Sequence, residues 1–473
     1  MTDELHKQDL EKFLAEKQLN DHWKKWVRTN LDAGCDKNGM FRIMIDEGFS
    51  YEAAKAALNF EPAIPVDQII NPLKRYKDAR LRKTVSPFIP NAVRQDVEGF
   101  ELYVLDDFLN EAECDALRRK VQREAPSTGI ALNDENDPSF CTRNHDLGAI
   151  KDTLFQDVDR RICSVLGLSP KHAEPLQAQF YEAGQIFHPK RDFFEADDLI
   201  ERGGALGQRS YSFVIYLEET SVGGGLHFPE VDHSVPVKRG RAVIWNNLFP
   251  DGTVNDKAVH LCRPVEKGCG LILKKIFRTE NGLPVFKRLD KENVPNYTTI
   301  GFERDRLPKP LLDKIMAFYR KNFHAQVPET VAERFIKNAK TDTAKSSLIQ
   351  LPKSLEKEIQ ACLKPVLEIW SGLKLEPTFV YGIRVYHHGT ALKVHRDRNG
   401  THIIGVIINI DQEVTDPWPL RIEDNYYRKH DIFLEPGDVI YYEATRLAHG
   451  RPQPFNGKLY TNIFSHFKIA DKS

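Results

Sequence analysis

The sequence predicts an α+β chain built from two tandem β-rich units, each behind a helical lead-in, with a small helical module at the N-terminus. Three observations carry that expectation. Tyr386-x2-Gly389-x5-His395-x-Asp397 is matched earlier in the chain, at identical spacing, by Tyr181-x2-Gly184-x5-Lys190-x-Asp192. Each copy is preceded by a helix-like stretch, DVDRRICSVLGLSP or LKPVLEIWSGLKLEP, and followed by an apolar strand, YSFVIYLE or HIIGVIINI. Both then carry a Gly-led strand, GRAVIW or GDVIYY, and after it a His, a Pro and a Gly: His260, Pro264 and Gly268, or His449, Pro452 and Gly457. Chance would not keep so many elements in order, so one fold is used twice.

In chain order, residues 1–60 read as the helical module. LNDHWKKWVRTNLDAG places Trp23, Trp26, Val27 and Leu31 at helical spacing, with Asn20 or Asp21 to cap its start and Gly34 its end. Two shorter helices follow, the second after a capping Ser50. The two Trp could grip a partner or simply form core. Residues 61–99 are a linker marked by Pro62 and Pro65, in which residues 74–83, KRYKDARLRK, form the densest basic run. A strand, an Asn110 cap and a helix with Ala112, Cys114, Leu117 and Val121 inward open the first unit, residues 100–278. A connector, 279–300, leads to the second unit, 301–473, whose helices PKPLLDKIMAFYRKNF and SLEKEIQACLKPVLEIW should lay apolar stripes on its sheet.

The length of 473 residues allows two or three domains, each able to bury a core. With 67 basic and 68 acidic residues the net charge is −1, and nothing global points to nucleic acid or a membrane surface. There is no apolar run of about 18 residues, and the opening MTDELHKQDLEKF is too polar for a signal peptide. Seven scattered cysteines fit reduced thiols in a cytoplasmic protein.

The chemistry concentrates in the second unit. If residues 394–397 lie on a strand, period-two alternation sets His395 and Asp397 on one face. His449, after the strand GDVIYYE, could return a second imidazole to the same spot. Two imidazoles and a carboxylate with open coordination positions suit a non-haem Fe(II) oxygenase.

The phrases FYEAGQ, GGGLHFPE, WNNLFPDG and VHLCRPVEKG, then YGIRVYHHG, VHRD, LEPGDVIYYE and HGRPQPFNGK, resemble the prolyl 4-hydroxylase-like branch of the Fe(II)/2-oxoglutarate dioxygenases. The resemblance covers residues from about 100 to 470 and implies a double-stranded β-helix (jelly-roll) fold for both units. It implies Fe(II) on His395, Asp397 and His449, with 2-oxoglutarate and O2 as cosubstrates and ascorbate as a possible addition. A basic residue should hold the far carboxylate of 2-oxoglutarate. Counting six residues on from the Pro after each distal His gives Lys458 in the second unit and Gly270 in the first. Lys458 opens the strand KLYTNIFSHF, so Tyr460 and Asn462 should share its face. The alternatives are a surface Lys458 in a hairpin, since NGK resembles turn chemistry, and Arg451 as the anchor. Tyr386 is a candidate hydroxyl donor to 2-oxoglutarate, and Trp418, Arg421 and Tyr427 could line the entrance.

The first unit has Lys190 where an iron-ligating His is expected, and an ammonium offers no lone pair. It therefore reads as a non-catalytic copy, the alternative being an unusual set of His188, Asp192 and His260. The implied reaction is hydroxylation of an unactivated C–H on a peptide or protein side chain, with decarboxylation of 2-oxoglutarate to succinate. Two other readings remain open: a non-catalytic double-barrel interaction scaffold, and a redox-inert, cupin-like metal-binding protein.

Overall fold

The computed structural model describes residues 19–32, 37, 40, 41, 44, 49–62, 87–124, 130–134, 137–148, 150–183, 189–195, 199, 207–219, 222–267, 269–280, 283–284, 294–329, 336–338, 346–397 and 400–470. The basic run at 74–83, and Gly34, Gly184, His188 and Gly268, lie outside the described residues. The chain divides into two compact units: Met1–Ser86, Val93–Gln156 and Leu168–Val285 form one, and Pro87–Ala92, Asp157–Gly167 and Phe286–Ser473 the other.

Helix α1 (Asp21–Asp32) starts where Asn20 accepts the Trp23 N–H at 3.0 Å, and α2 (Tyr51–Leu58) where Ser50 accepts the Ala53 N–H at 3.2 Å. Each cap satisfies a backbone donor that the first helical turn cannot. Val27, Met40, Phe41, Met44, Phe49, Ala54 and Leu58 form a buried cluster, and both Trp23 and Trp26 pack against it. The two indoles thus contribute to core packing.

Strand β1 (Leu102–Leu105) leads into α3 (Glu111–Glu124) through a reciprocal cap, in which Asn110 and Glu113 each accept the other's backbone N–H at 2.9 Å. Cys114, Leu117 and Val121 are buried as their spacing requires, whereas Ala112, in the first turn, is exposed. The sheet of this unit continues with β2 (Asp137–Asp146), β3 (Gln177–Glu182), β4 (Arg209–Tyr216), β5 (Ala242–Asn246) and β6 (Cys269–Glu280). Its antiparallel order across the centre is β1-β5-β4-β6-β3-β2.

The second unit contains β7 (Phe302–Arg306), helix α4 (Lys309–Asn322), β8 (Ser346–Ile349), helix α5 (Lys353–Ser371), β9 (Leu375–Tyr386), β10 (Thr390–His395) and β11 (Ile404–Val414). It ends with β12 (Leu420–Glu423), β13 (Asp438–Glu443), β14 (His449–Arg451) and β15 (Gly457–Ile469). The larger sheet runs β7-β13-β11-β15-β9-β8, and a smaller one contains β10-β14-β12. Strand for strand, the larger sheet follows the order of its counterpart in the first unit.

These central strands read as nearly unbroken apolar runs because both faces are covered. On β11, β13 and β15, Val406, Ile408, Val439, Tyr441, Ile463 and Phe467 pack on one side with the helices. Ile407, Ile440, Tyr442, Tyr460 and Phe464 pack on the other with Leu392, Leu420 and Ile422 of the smaller sheet. The helices supply the expected stripes, Leu311, Ile315 and Tyr319 from α4 and Leu355, Ile359, Leu363 and Leu367 from α5. Ile359 is fully buried there. Truncating it to Ala should cost about 2–5 kcal/mol in urea unfolding through lost transfer energy and the cavity left behind. A loss below about 1 kcal/mol would mean that α5 does not brace the sheet.

Candidate metal centre

Two adjacent strands of the smaller sheet build the site. β10 pairs antiparallel with β14, which sets His395 opposite His449 with ring centroids 4.6 Å apart. Just beyond β10, the Asp397 backbone N–H donates to the Ala444 carbonyl at 2.9 Å and holds the carboxylate beside both rings. His395 Nε2 lies 3.5 Å from Asp397 Oδ1, and His449 Nε2 lies 3.9 Å from Oδ2. One ligand atom from each residue falls within 4.8 Å of the others, the only such His/Cys/Asp/Glu group among the described residues.

The tautomers follow from the backbone. His395 Nδ1 lies 2.7 Å from the Lys393 carbonyl and His449 Nδ1 3.0 Å from the Leu447 carbonyl. A carbonyl can only accept, so each Nδ1 carries the proton and each Nε2 keeps its lone pair toward Asp397. Such outer hydrogen bonds are what fix metal-ligating imidazoles. Burial pushes the His449 pKa down to about 4, so at neutral pH no proton must leave before it can ligate. Burial opposes charge on Asp397 too, yet the close approach of His395, His449 and His466 holds its pKa well below the usual carboxylate range. Asp397 Oδ2 is buried without a hydrogen bond of good geometry. An orphaned carboxylate oxygen facing two imidazole lone pairs is costly alone and satisfied by a divalent cation, so these residues fit a metal.

His466 was missing from the sequence-based site. Its Nε2 lies 3.3 Å from Asp397 Oδ2, the oxygen that His449 also approaches, though it is not one of the three residues whose ligand atoms lie within 4.8 Å of one another. The signal was present, since the alternation that groups Tyr460 with Asn462 on β15 continues through Phe464 to His466. Tyr442 closes the wall, its ring 4.5 Å from that of His449.

Two residues past His449 on β14 stands a buried cation. Arg451 is 1% exposed; it donates Nη1 to the Trp418 carbonyl and Nη2 to the Tyr460 hydroxyl at 3.2 Å, with its guanidinium 4.9 Å and 4.4 Å from their rings. No carboxylate pairs with it among the described residues. Tyr386 is fully buried with its ring 5.2 Å from Trp418, and its hydroxyl has no geometrically sound hydrogen bond. Asn462 is buried as well, next to Asn409 at 3.3 Å.

Lys458 is not part of this buried cluster. It is 74% exposed and pairs with Glu413 at 3.0 Å. The cause is a β-bulge: Glu413 faces Leu459 and Val414 faces Gly457, so Lys458 is the extra residue and leaves the alternation that keeps Tyr460 and Asn462 inward. Of the proposed entrance residues only Trp418 borders the site. Arg421 is taken up by Asp431 at 2.8 Å, and Tyr427 lies against Arg446.

Residues 176–279 match the 2OG-Fe(II) oxygenase superfamily. The chain is 35% identical over 124 residues to prolyl 4-hydroxylase subunit alpha-1 of Gallus gallus, covering 26% of this chain and 24% of that one. It is 30% identical over 168 residues to the Homo sapiens subunit, covering 34% and 31%. It thus spans only a quarter to a third of the length of these relatives. The likeness to the 2OG-Fe(II) oxygenase superfamily thus rests on residues 176–279, and the relatives that part of the chain resembles are prolyl 4-hydroxylases. Among solved structures, the viral collagen prolyl hydroxylase of Paramecium bursaria Chlorella virus-1 in its 2OG complex aligns at 19% identity with a TM-score of 0.32, over 39% of this chain and 99% of that one.

The stretch matching the oxygenase superfamily is the one without the metal set. Lys190 and His260 exchange backbone hydrogen bonds of 2.7 and 3.0 Å across a bridge like that of His395 and His449. His260 Nδ1 again meets a carbonyl, that of Ala258, at 3.0 Å, and Nε2 lies 3.9 Å from Asp192 Oδ2. Asp192, however, is saturated by Lys274 Nζ at 2.6 Å and Ser212 Oγ at 2.6 Å. Gly270 pairs opposite Tyr181 as Tyr460 pairs opposite Tyr386, so the register aligns Gly270 with Tyr460 rather than with Lys458. Two residues past the distal His stands Cys262, where the second unit has Arg451. These residues do not fit the metal or the cosubstrate carboxylate of a 2OG-Fe(II) oxygenase.

Proposed function

We propose that this protein is an Fe(II)- and 2-oxoglutarate-dependent hydroxylase acting on a peptide or protein side chain. Its chemistry lies in residues 301–473, and residues 100–278 are a non-catalytic copy of the same barrel, behind the 1–60 module and its 61–99 linker and joined by the 279–300 connector. The observation that carries this reading is the triad of His395, Asp397 and His449 with both Nε2 lone pairs aimed at one carboxylate. The shared strand order of the two larger sheets supports the duplication. The peptidyl substrate rests on the likeness to prolyl 4-hydroxylases. The cytoplasmic location is proposed from the scattered cysteines, of which Cys114, Cys262 and Cys362 form no disulfide among the described residues. No helix among the described residues is long and apolar enough to cross a membrane.

When bound, Fe(II), 2-oxoglutarate and O2 supply the oxidising chemistry, decarboxylating the cosubstrate to succinate and hydroxylating a C–H bond, with ascorbate as a candidate reductant. The chain's own residues orient and exclude. His395, Asp397 and His449 would hold the metal. Arg451 receives the far carboxylate of 2-oxoglutarate through charge-assisted hydrogen bonds, Tyr386 adds a hydroxyl donor, and Trp418 and Tyr460 keep water from that pair.

Anaerobic addition of Fe(II) and then 2-oxoglutarate tests the reading. A metal-to-2-oxoglutarate charge-transfer band and peptide-coupled release of succinate are expected; metal uptake without 2-oxoglutarate consumption would leave only the cupin-like alternative. Lys458→Ala should leave 2-oxoglutarate affinity within about twofold, because an exposed ion pair contributes little. A larger loss in the same titration would return the anchor to Lys458.

A further inference from the structure

Barrel 100–278 retains one imidazole and one carboxylate of the metal set, yet its Asp192 differs from Asp397 in what surrounds it. Asp192 and Lys274 are 5% and 8% exposed, and the ammonium sits 2.6 Å from Oδ1, the oxygen that His395 approaches in the other barrel. Oδ2 accepts from Ser212, whose hydroxyl accepts from Asn247 at 3.0 Å, and Asn247 in turn accepts from the Trp245 indole at 2.9 Å. The carboxylate is thus satisfied on both oxygens by protein groups, whereas Asp397 keeps one orphaned. Burial would raise the Asp192 pKa, but the Lys274 charge outweighs it and keeps the group ionised far below the ordinary range.

The register shows where this lysine comes from. Four residues past Gly270 on β6 stands Lys274, paired with Val214; four past Tyr460 on β15 stands Phe464, paired with Ile407. Two charged positions therefore separate this barrel from a metal set, Lys190 for His395 and Lys274 for Phe464, and Ser212, where the register of the other barrel has Gly405, adds a neutral donor to Oδ2. The second supplies a positive charge of its own, fixed covalently on a strand.

We infer that Lys274 is an internal replacement for the metal: its ammonium neutralises Asp192 beside His260, so this barrel holds its core by an organic ion pair and binds no divalent cation. The inference deepens the assignment of the barrel as non-catalytic, and it is tested on the full chain with Co(II), whose binding is read by calorimetry and by its visible absorption. Wild type should bind one equivalent, lost in His395→Ala. Lys190→His combined with Lys274→Phe should bind two, the second lost again when Asp192→Asn is added. Binding of two equivalents by wild type, with one removed by Asp192→Asn, would overturn the inference, as would a folded double variant that still binds one. No binding by wild type, with one equivalent gained by the double variant and lost with Asp192→Asn, would sink the Proposed function reading and leave the Lys274 inference standing.

A second measurement does not depend on creating a site. Lys274→Met should lower the melting temperature by about 10 °C because it strands a buried carboxylate, and Asp192→Asn in the same chain should recover most of that loss. Additive losses would refute the ion-pair role. If Lys274→Met fails to fold alone but folds with Asp192→Asn, the recovery itself is the supporting result.

Discussion

His395→Ala is expected to abolish metal binding in this protein while leaving the fold in place. The imidazole is half-buried on β10, and its removal takes one of three ligands without opening the core, which is built by other residues of the smaller and larger sheets. Loss of an outer hydrogen bond to a ligand already costs about 10–100-fold in affinity, so losing the ligand itself should cost more than about 100-fold. Asp397→Asn should do the same for a different reason: the amide keeps the shape but removes the charge that draws the cation. Mn(II) or Co(II) titration by calorimetry, with circular dichroism to verify folding, reads both. Retention of wild-type affinity in either variant would place the metal elsewhere and remove the basis for the proposed hydroxylase.

Arg451→Met is expected to spare the metal and weaken the cosubstrate. The guanidinium is buried against Trp418 and Tyr460 with no acidic partner among the described residues, and burying an uncompensated charge is expensive unless a ligand completes it. A dicarboxylate reaching from the metal to this guanidinium would supply the missing anion. Truncating one side of a buried, hydrogen-bonded charge pair costs about 2–4 kcal/mol, or about 30- to 1000-fold in Kd. Anaerobic titration of 2-oxoglutarate into Mn(II)-loaded protein should show that loss at unchanged Mn(II) affinity. Equal losses of both would instead mean that Arg451 holds β14, and with it His449, in place. An unchanged Kd would exclude it as the anchor.

Much of this site follows from local rules. His395 and Asp397 are two apart on an extended segment, so they must face the same way whatever surrounds them, and the repeat of the whole motif at 181–192 marked the segment as part of a fold. The α4 and α5 stripes were equally legible, because a helix with apolar residues every three or four positions can bury only one side. Lys458 was misjudged for a reason of the same kind: the alternation is valid only while strand register is unbroken, and a single bulged residue inverts it. Arg451 could be named as a rival but not preferred, since its burial comes from Trp418 and Tyr460, remote in sequence. His466 could have been reached by carrying the β15 alternation further.

The sequence by itself therefore determined the mixed helix-and-sheet class of the fold and picked out the three residues that the structure brings together as metal-ligating candidates, because these depend on backbone periodicity and spacing. Only the tertiary structure decided that Arg451 rather than Lys458 is the buried cation near the triad, and that Asp192 is held by Lys274 and Ser212. The bulge at Lys458, the lone charge of Arg451 and the Lys274–Asp192 pair arise from side chains that meet across strands, where burial and electrostatics rather than local pattern set the outcome.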